Sequence, residues 1–406
     1  MNRYGRALRH RNYRLFFAGQ GTSLIGTWLT RFAMGYETYE LSHSAWLLGL
    51  VAFFGQAPTA IVAPFAGVLV DRWNRHRTLV ITQVFAMLQS AALALFAITG
   101  LMTVWHLLVL GAVQAVINAF DMPARQSFVR QMVDDRADLP NAIALNSALV
   151  NVSRVIGPMV AAGLVAVAGV GGCFAVDAAS YLAVIASLLA MRVAPQPVRA
   201  HSGHVIAQMR DGFRYIRQLP VARAVLVLIA ITGAFGGAYM SLLPAYAEGT
   251  LQGGAKTLGW LMGAGGAGAV VGVMIRAGRD GVAGLEHVVA GCALTLGIGL
   301  IALELAPSAW IAAPILFVVG AALIVQYSAT NTLLQSTVDE DKLGRVMSLY
   351  LLAVFAGAPV GALLEGSLAN VIGPVHTFAL AGLACVVCSL VFRGSLPAAR
   401  DSTGSR

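Results

Sequence analysis

Long apolar runs are the feature that most constrains how this chain can fold. Twelve of them are long enough to cross a hydrocarbon layer of about 30 Å as helices that rise about 1.5 Å per residue. Helices satisfy their own backbone hydrogen bonds in lipid, whereas barrel strands would be about ten residues long with alternating polarity. The sequence therefore predicts an all-α integral membrane protein, with transmembrane helices at 15–36, 46–70, 78–99, 104–132, 140–168, 172–191, 221–247, 257–277, 286–304, 309–336, 343–370 and 374–393.

Composition and charge agree with that prediction. Of 406 residues, 58% are hydrophobic and 11% are charged, which excludes an ordinary soluble domain. The net charge of +9 does not indicate nucleic-acid binding, because Lys and Arg occupy short turns between apolar runs, where they set orientation in the membrane. Assigning alternate loops to opposite sides leaves Lys256 as the only Lys or Arg in an outer loop, so both termini are predicted to be cytoplasmic.

One long polar segment divides the apolar runs into six and six. The predicted domains are an N-terminal six-helix bundle at 1–191, a cytoplasmic linker at 192–220, a C-terminal six-helix bundle at 221–393 and a cytoplasmic tail at 394–406. The linker residues from Val205 to Leu219 have helical spacing of apolar and basic side chains. This pattern favours either a helix along the membrane surface or a solvated linker.

An internal repeat supports the division into two halves. Val133-Asp-Asp-Arg precedes the fifth run, and Val338-Asp-Glu-Asp precedes the eleventh, about 204 residues later. Leu48-Gly49 and Leu258-Gly259 open the second and eighth runs at a similar offset. Parallel repeats of six helices predict two bundles related by an axis along the membrane normal.

The turn between the second and third runs carries an acid, an asparagine and three arginines within about seven polar residues. Its spacing, Gly-x3-Asp-Arg-x-Asn-Arg-x-Arg, resembles the loop between helices 2 and 3 of the major facilitator superfamily. The resemblance covers essentially the whole chain, because length, span count and central segment also match. It implies a gating loop formed by Gly67, Asp71, Arg72, Asn74, Arg75 and Arg77.

Further motifs resemble a subgroup of bacterial exporters that includes the enterobactin exporter. They are Arg11-Asn-Tyr13 before the first run, Ser23-Leu-Ile-Gly26-Thr-Trp28 within it, Pro123-Ala-Arg125-Gln in the fourth, and Asn141-Ala-Ile-Ala-Leu-Asn146-Ser with Arg154-x-x-Gly157-Pro158 in the fifth. Small residues and a proline permit close helix approach and a bend, so Gly157 and Pro158 are predicted either to bend the helix in transport or to serve packing alone.

Ionisable residues inside the spans are candidates for function, because a charge in the bilayer centre needs a partner or a cavity. Asp121 and Arg125 lie on one stripe of the fourth run, and Arg154 lies near the middle of the fifth. We expect Asp121 and Arg154 to face each other or a shared water-filled cavity, with a static ion pair as the alternative. The predicted residues for proton coupling or ion pairing are Asp121, Arg125, Arg154 and Glu365.

Softer polar residues mark a predicted substrate cavity. Charge on the N-terminal wall, with tyrosines and amides on the C-terminal wall, favours an amphipathic organic molecule over a simple ion. Arg31 has an alternative interpretation, since its side chain could snorkel to the interface. The predicted cavity residues are Gln20, Thr27, Arg31, Gln114, Asn118, Tyr239, Gln326 and Asn331.

Together the resemblance and the residues predict a secondary active transporter in a bacterial cytoplasmic (inner) membrane, acting as a monomer. We expect proton-coupled export of a hydrophobic or amphipathic small molecule, siderophore-like or drug-like. The alternatives are a lysophospholipid or lipid flippase, an importer, or a receptor or scaffold that transports nothing. The sequence has no Walker loop, metal-binding cluster or nucleophile-base pair, so we expect no enzymatic activity, cofactor or metal.

Overall fold

The computed structural model describes residues 3–133, 135–192, 214–217, 219–278 and 281–395. The side chain of Asp71 is outside this description, and so is most of the predicted surface segment from Val205 to Leu219 and of the tail. All regular structure within the described ranges is helical. The predicted all-α class is therefore confirmed.

The N-terminal half supplies the first six spans. Span 1 begins after a short 3₁₀ helix, and span 2 consists of two helices that meet at Gly55. Spans 5 and 6 form one long helix with a break inside it. The helices are Arg11–Ser42, Ala45–Phe54 with Ala57–Arg72, Arg75–Ile98, Val104–Met132 and Leu139–Leu189.

The C-terminal half supplies spans 7 to 12. Span 7 contains two π-helical turns, one within it at Thr232–Gly236 and one at its end at Tyr246–Thr250. The helices are Pro220–Ile231 with Tyr239–Ala245, Ala255–Ala277, Leu285–Ala302, Ala309–Thr337, Glu340–Ile372 and Pro374–Ser395.

Gly169 explains how a 51-residue helix accounts for two spans. At about 1.5 Å per residue the helix Leu139–Leu189 is far longer than a membrane crossing needs. Gly169 has φ 65° and ψ −177°, a conformation that glycine adopts without the steric cost of a side chain, and the helix breaks there. Ten segments of the described chain are apolar and long enough to span, with Leu139–Leu189 counted once and the more polar Arg11–Ser42 not among them. Counting Leu139–Leu189 as two spans and adding Arg11–Ser42 gives twelve spans. The predicted fold of two six-helix bundles is therefore confirmed.

The turn after span 2 is shorter than the sequence suggested. The predicted seven polar residues do not form a loop, because helix continues to Arg72 and resumes at Arg75. Asn74 is the N-cap of span 3, and its side-chain oxygen accepts a hydrogen bond from the Arg77 amide at 3.1 Å. Trp73 stacks on Phe120 of span 4, with ring centroids 6.1 Å apart. The turn is therefore anchored to the N-terminal bundle.

Apolar packing shows where the two halves meet. One buried cluster contains residues from both halves, among them Phe32 and Leu258, and it lies toward the end that carries Lys256, which we call the outer end after the predicted orientation. At the opposite, inner end, two further clusters each stay within one half, around Phe128 and around Val346. The halves are thus joined at the outer end.

Glycines allow the helix backbones of the two halves to approach each other closely where the halves are joined. Span 2 meets span 11 where a Cβ on Gly366 would lie 2.8 Å from the Gly49 Cα. Span 5 meets span 8 where a Cβ on Gly266 would lie 2.8 Å from the Arg154 carbonyl oxygen. At the same end, Ser44 donates a hydrogen bond to the Asn370 side chain at 3.3 Å. Backbones that approach this closely leave no room for larger residues.

Candidate functional site

A cavity of about 230 Å³ lies between the halves, against the shared core. Spans 1, 2, 4 and 6 line one wall, which carries most of the polar groups, while spans 7, 8 and 11 line the other with mainly small and apolar side chains. The charged residues of its lining are Arg31 and Asp177. Concave, mostly apolar surfaces with a few convergent polar groups are typical of small-molecule sites.

Four predicted cavity residues line this space: Thr27, Arg31, Gln114 and Asn118. Gln114 donates an amide hydrogen bond to Asn118 at 3.2 Å, one helical turn away. Arg31 is exposed and lines the cavity. The other four predicted residues do not belong to the lining: Gln20, Tyr239, Gln326 and Asn331.

Two of those four have other roles in the fold. Gln326 is fully buried and donates to the Thr232 hydroxyl at 2.9 Å, which ties span 10 to span 7. Asn331 accepts a hydrogen bond from Gln335 at 2.6 Å on its own helix. Sequence spacing placed them on polar stripes, but a stripe does not show which neighbour it faces.

Asp121 does not pair with Arg154 in the structure, contrary to our expectation that the two residues face each other. Its carboxylate accepts hydrogen bonds from Thr82 at 3.0 Å and Gln83 at 2.8 Å on span 3, and it forms an ion pair with Arg125 one turn along its own helix. Asp121 is 2% exposed. The hydrogen bonds connect spans 3 and 4 within one bundle, and the ion pair lies within span 4.

Arg154 lies against the cavity residue Trp28 instead. Its guanidinium carbon is 5.8 Å from the Trp28 ring centroid, and that of Arg31 is 5.3 Å from the same ring. Gly157 makes this possible, because a Cβ there would lie 3.1 Å from the Trp28 Cγ. The residue with non-helical torsions in Leu139–Leu189 is Gly169, so the structure gives Gly157 a packing role and shows no break at Pro158.

Asp177 of span 6 is a site residue that the sequence reasoning missed. Its Oδ2 accepts hydrogen bonds from Thr30 and Ser90, both at 2.7 Å, which joins spans 1, 3 and 6. The other oxygen, Oδ1, is buried and has no hydrogen-bond partner among the described residues. The signal was present, since an acid in the middle of an apolar run is itself a functional indication.

Glu365 is the buried acid of the C-terminal half. It is 1% exposed on span 11, and neither carboxylate oxygen has a hydrogen-bond partner in the described part of the chain. A carboxylate in this setting is costly when ionised, because burial removes water without supplying a donor. The geometry suits a group that is protonated in this conformation.

The described residues include no group of three or more His, Cys, Asp or Glu that could hold a metal ion. The polar groups of the cavity can hydrogen-bond, attract charge and exchange protons. This set suits the binding of a small molecule with polar groups.

Comparison with known proteins shows the family to which the chain belongs. The family model described as transmembrane secretion effector matches residues 6–404. The staphyloferrin A transporter of Staphylococcus aureus is 22% identical over 383 residues, which cover 93% of this chain and 94% of that protein. The enterobactin exporter EntS of Shigella boydii is 25% identical over 389 residues, covering 94% and 91%. The macrolide efflux protein A of Streptococcus pyogenes is 24% identical over 399 residues, covering 94% and 96%.

Solved structures with the same fold are more distant in sequence. A bacterial homologue of the human lysosomal transporter Spinster, in an inward-facing and occupied conformation, has a TM-score of 0.74 at 15% identity and covers 95% of this chain and 97% of its own. The nucleoside transporter NupG has a TM-score of 0.72 at 12% identity, covering 96% and 100%. These similarities show the fold alone.

Proposed function

Because the chain belongs to the transmembrane secretion effector family of major facilitator transporters, we propose that it exports a hydrophobic or amphipathic small molecule from the cytoplasm in exchange for protons. The observation that carries the proposal is the cavity between the two halves, which pairs a polar N-terminal wall with a mainly apolar C-terminal wall. An amphipathic molecule satisfies both walls at once.

The arrangement of the halves supports a working cycle. They share a core at the outer end and are separately packed at the inner end, so a rocking motion would open one side as it closes the other. With the termini in the cytoplasm, this conformation takes substrate from the inside. The turn from Gly67 to Arg77 would act as a gate that stabilises one of the two states.

Proton coupling needs a carboxylate whose environment changes during that motion. Asp121 and Glu365 stay candidates, with Arg125 and Arg154 as the basic partners. Asp177 joins them, because it lies at the cavity wall and keeps one oxygen without a donor. Substrate arrival or bundle movement would alter the hydration of that oxygen, and with it the affinity of Asp177 for a proton.

Inside-out proteoliposomes with an acidic lumen test the proposal. The probes are a macrolide, enterobactin and staphyloferrin A, chosen from the names of the relatives. We expect at least one to accumulate in the lumen while protons leave, and a protonophore to abolish the accumulation. Asp177→Asn should retain downhill exchange and lose the response to the gradient, whereas Thr22→Val, at a position that is exposed on span 1, should keep both.

Several outcomes would contradict the proposal. Accumulation that ignores both gradient and protonophore would exclude proton coupling. Movement of a fluorescent lysophospholipid, with none of the three probes transported, would favour the flippase alternative. A gradient response in Asp177→Asn equal to wild type would assign coupling to Asp121, to Glu365 or to neither, and their Asn and Gln variants distinguish these cases in the same assay.

A further inference from the structure

Two positive charges in the middle of the membrane domain contact the same aromatic ring. The guanidinium groups of Arg31 on span 1 and Arg154 on span 5 lie 5.3 Å and 5.8 Å from the centroid of Trp28. They are also close enough to each other to interact electrostatically. A cation gains some stabilisation from the face of an indole, but this does not remove the repulsion between two like charges.

Neither arginine forms an ion pair with an acid of the described chain. Two buried carboxylates of the N-terminal bundle have other partners: Asp121 is bound by Arg125, and the Asp177 Oδ2 by Thr30 and Ser90. The Arg154 Nε is buried and has no hydrogen-bond acceptor among the described residues. Ionised groups inside a membrane protein are normally paired or meet a water-filled cavity, so a pair of unneutralised guanidiniums beside a cavity is a site for an anion.

The C-terminal half contributes two hydroxyl groups to the same place. The Tyr239 hydroxyl on span 7 lies 3.3 Å from where a Cβ on Gly265 would be, next to Gly266, which packs on the Arg154 backbone. The Tyr327 hydroxyl on span 10 lies 3.3 Å from where a Cβ on the cavity residue Gly237 would be, and both tyrosines interact electrostatically with Arg154. Within the described residues, neither hydroxyl makes a hydrogen bond with another side chain or backbone group. A tyrosine hydroxyl can donate to an oxyanion, so donors from both halves converge around Arg154.

We propose that Arg31, Arg154, Tyr239 and Tyr327 form an anion subsite that binds a carboxylate, sulfonate or phosphate group on the transported molecule. Arg31 lines the cavity, whereas Arg154, Tyr239 and Tyr327 are outside its lining, so the subsite adjoins the cavity through Arg31. The inference rests on the proposed function in one respect, that the cavity is where substrate binds. Guanidinium groups hold such oxyanions in a two-pronged geometry that a neutral amide does not reproduce. Because the arginines belong to one half and the tyrosines to the other, a bound anion would link the halves and favour this conformation.

Equilibrium binding tests the subsite without requiring transport. The probes are 8-anilinonaphthalene-1-sulfonate and N-phenyl-1-naphthylamine, which share an aromatic body and differ by the sulfonate. The full chain is placed in nanodiscs of zwitterionic lipid, with empty nanodiscs as the background. We expect the wild type to bind the sulfonate at least about tenfold more tightly than the neutral dye. Arg154→Gln and Arg31→Gln should each remove most of that preference.

Three comparisons make the result specific. Arg154→Lys keeps a positive charge and should keep part of the preference, and Tyr239→Phe should reduce it about two- to tenfold. Arg393→Gln removes an exposed charge at the end of span 12 and should change nothing. Binding of the neutral dye must survive in every variant, which shows that the cavity is still folded.

The subsite is overturned if the wild type binds both dyes equally, or if Arg31→Gln and Arg154→Gln keep the full preference. If Arg31→Gln or Arg154→Gln no longer binds the neutral dye, the test rests on Arg154→Lys and Tyr239→Phe. A preference for the sulfonate that is unchanged in both of these variants overturns the proposal. Proton-driven export of a neutral probe with no anion preference would leave the exporter intact and remove only this subsite. A preference for the anionic dye with no transport of any probe would support the subsite and contradict the exporter proposal.

Discussion

The two halves of the molecule repeat one plan but treat buried charge differently. In the N-terminal half, Asp121 and Asp177 each have two or more hydrogen-bond donors, and these come from neighbouring spans. In the C-terminal half, Glu365 is as deeply buried and has none among the described residues. Partnered charges fix the register of their helices, whereas an acid without donors holds its proton or waits for another conformation.

The two halves therefore contribute different kinds of groups to the cavity. The N-terminal half carries the charged wall of the cavity, and the C-terminal half offers small residues, hydroxyls and apolar surface that can move across it. Span 7, with its two π-helical turns, is the least regular helix of that half. Irregular turns of this kind are frequent at functional sites.

The largest effect we expect is all-or-none and tests whether the halves are parallel repeats. His43 precedes span 2 and Lys256 opens span 8, at matching ends of the two halves. In a background without the four native cysteines, His43→Cys and Lys256→Cys should both react with an impermeant thiol reagent on intact cells, while Arg393→Cys reacts only after permeabilisation. Labelling of His43→Cys but not Lys256→Cys would break the parallel relation.

Neutralising the buried acids should affect stability in opposite ways. Asp121→Asn leaves Arg125 without its counter-charge and should lower the free energy of unfolding by about 3 kcal/mol, whereas Glu365→Gln removes an unpartnered acid and should cost nothing or stabilise. Thermal melting in detergent, followed by tryptophan fluorescence, measures both. The double variant Asp121→Asn with Arg125→Gln should recover part of the loss. Equal losses for Asp121→Asn and Glu365→Gln would show that the two environments do not differ as described.

Opening the joint between the halves should have an intermediate effect. Gly366→Val places a side chain against Gly49 and the Ala45 carbonyl, which adds about 1–3 kcal/mol of strain at the outer end and favours the state in which that end separates. A disulfide between Ser44→Cys and Asn370→Cys should then form several-fold less readily. Gly163→Val, where a Cβ meets nothing within 4 Å, is the matched control. An unchanged disulfide yield would mean that span 11 adapts without moving.

The smallest effect concerns the turn that belongs to the N-terminal half. Asn74→Ala removes the N-cap of span 3 and should lower the melting temperature by an amount equivalent to about 1 kcal/mol. Asn74→Asp retains an acceptor for the Arg77 amide and should stay within a few tenths of a kcal/mol of wild type. If both variants melted alike, the side-chain cap would contribute no measurable stability.

Much of the fold was predictable because the membrane restricts the choices. Apolar length and the need to satisfy backbone hydrogen bonds leave helices, and the repeat of Leu48-Gly49 in Leu258-Gly259 indicated two related halves. The site was only partly predictable. Spacing predicts that Gln114 and Asn118 share a face, and both line the cavity, but spacing could not show that Gln326 faces Thr232 instead.

The sequence by itself determined the class of the protein, its twelve spans and the presence of costly charges within them, since each of these follows from the chemistry of single segments in lipid. Only the tertiary structure decided which side chains these charged residues contact. Asp121 bonds to Arg125 rather than Arg154, and Arg154 lies with Arg31 against Trp28. Helical periodicity fixes which side chains share a face, and only the packing of spans fixes what each face meets.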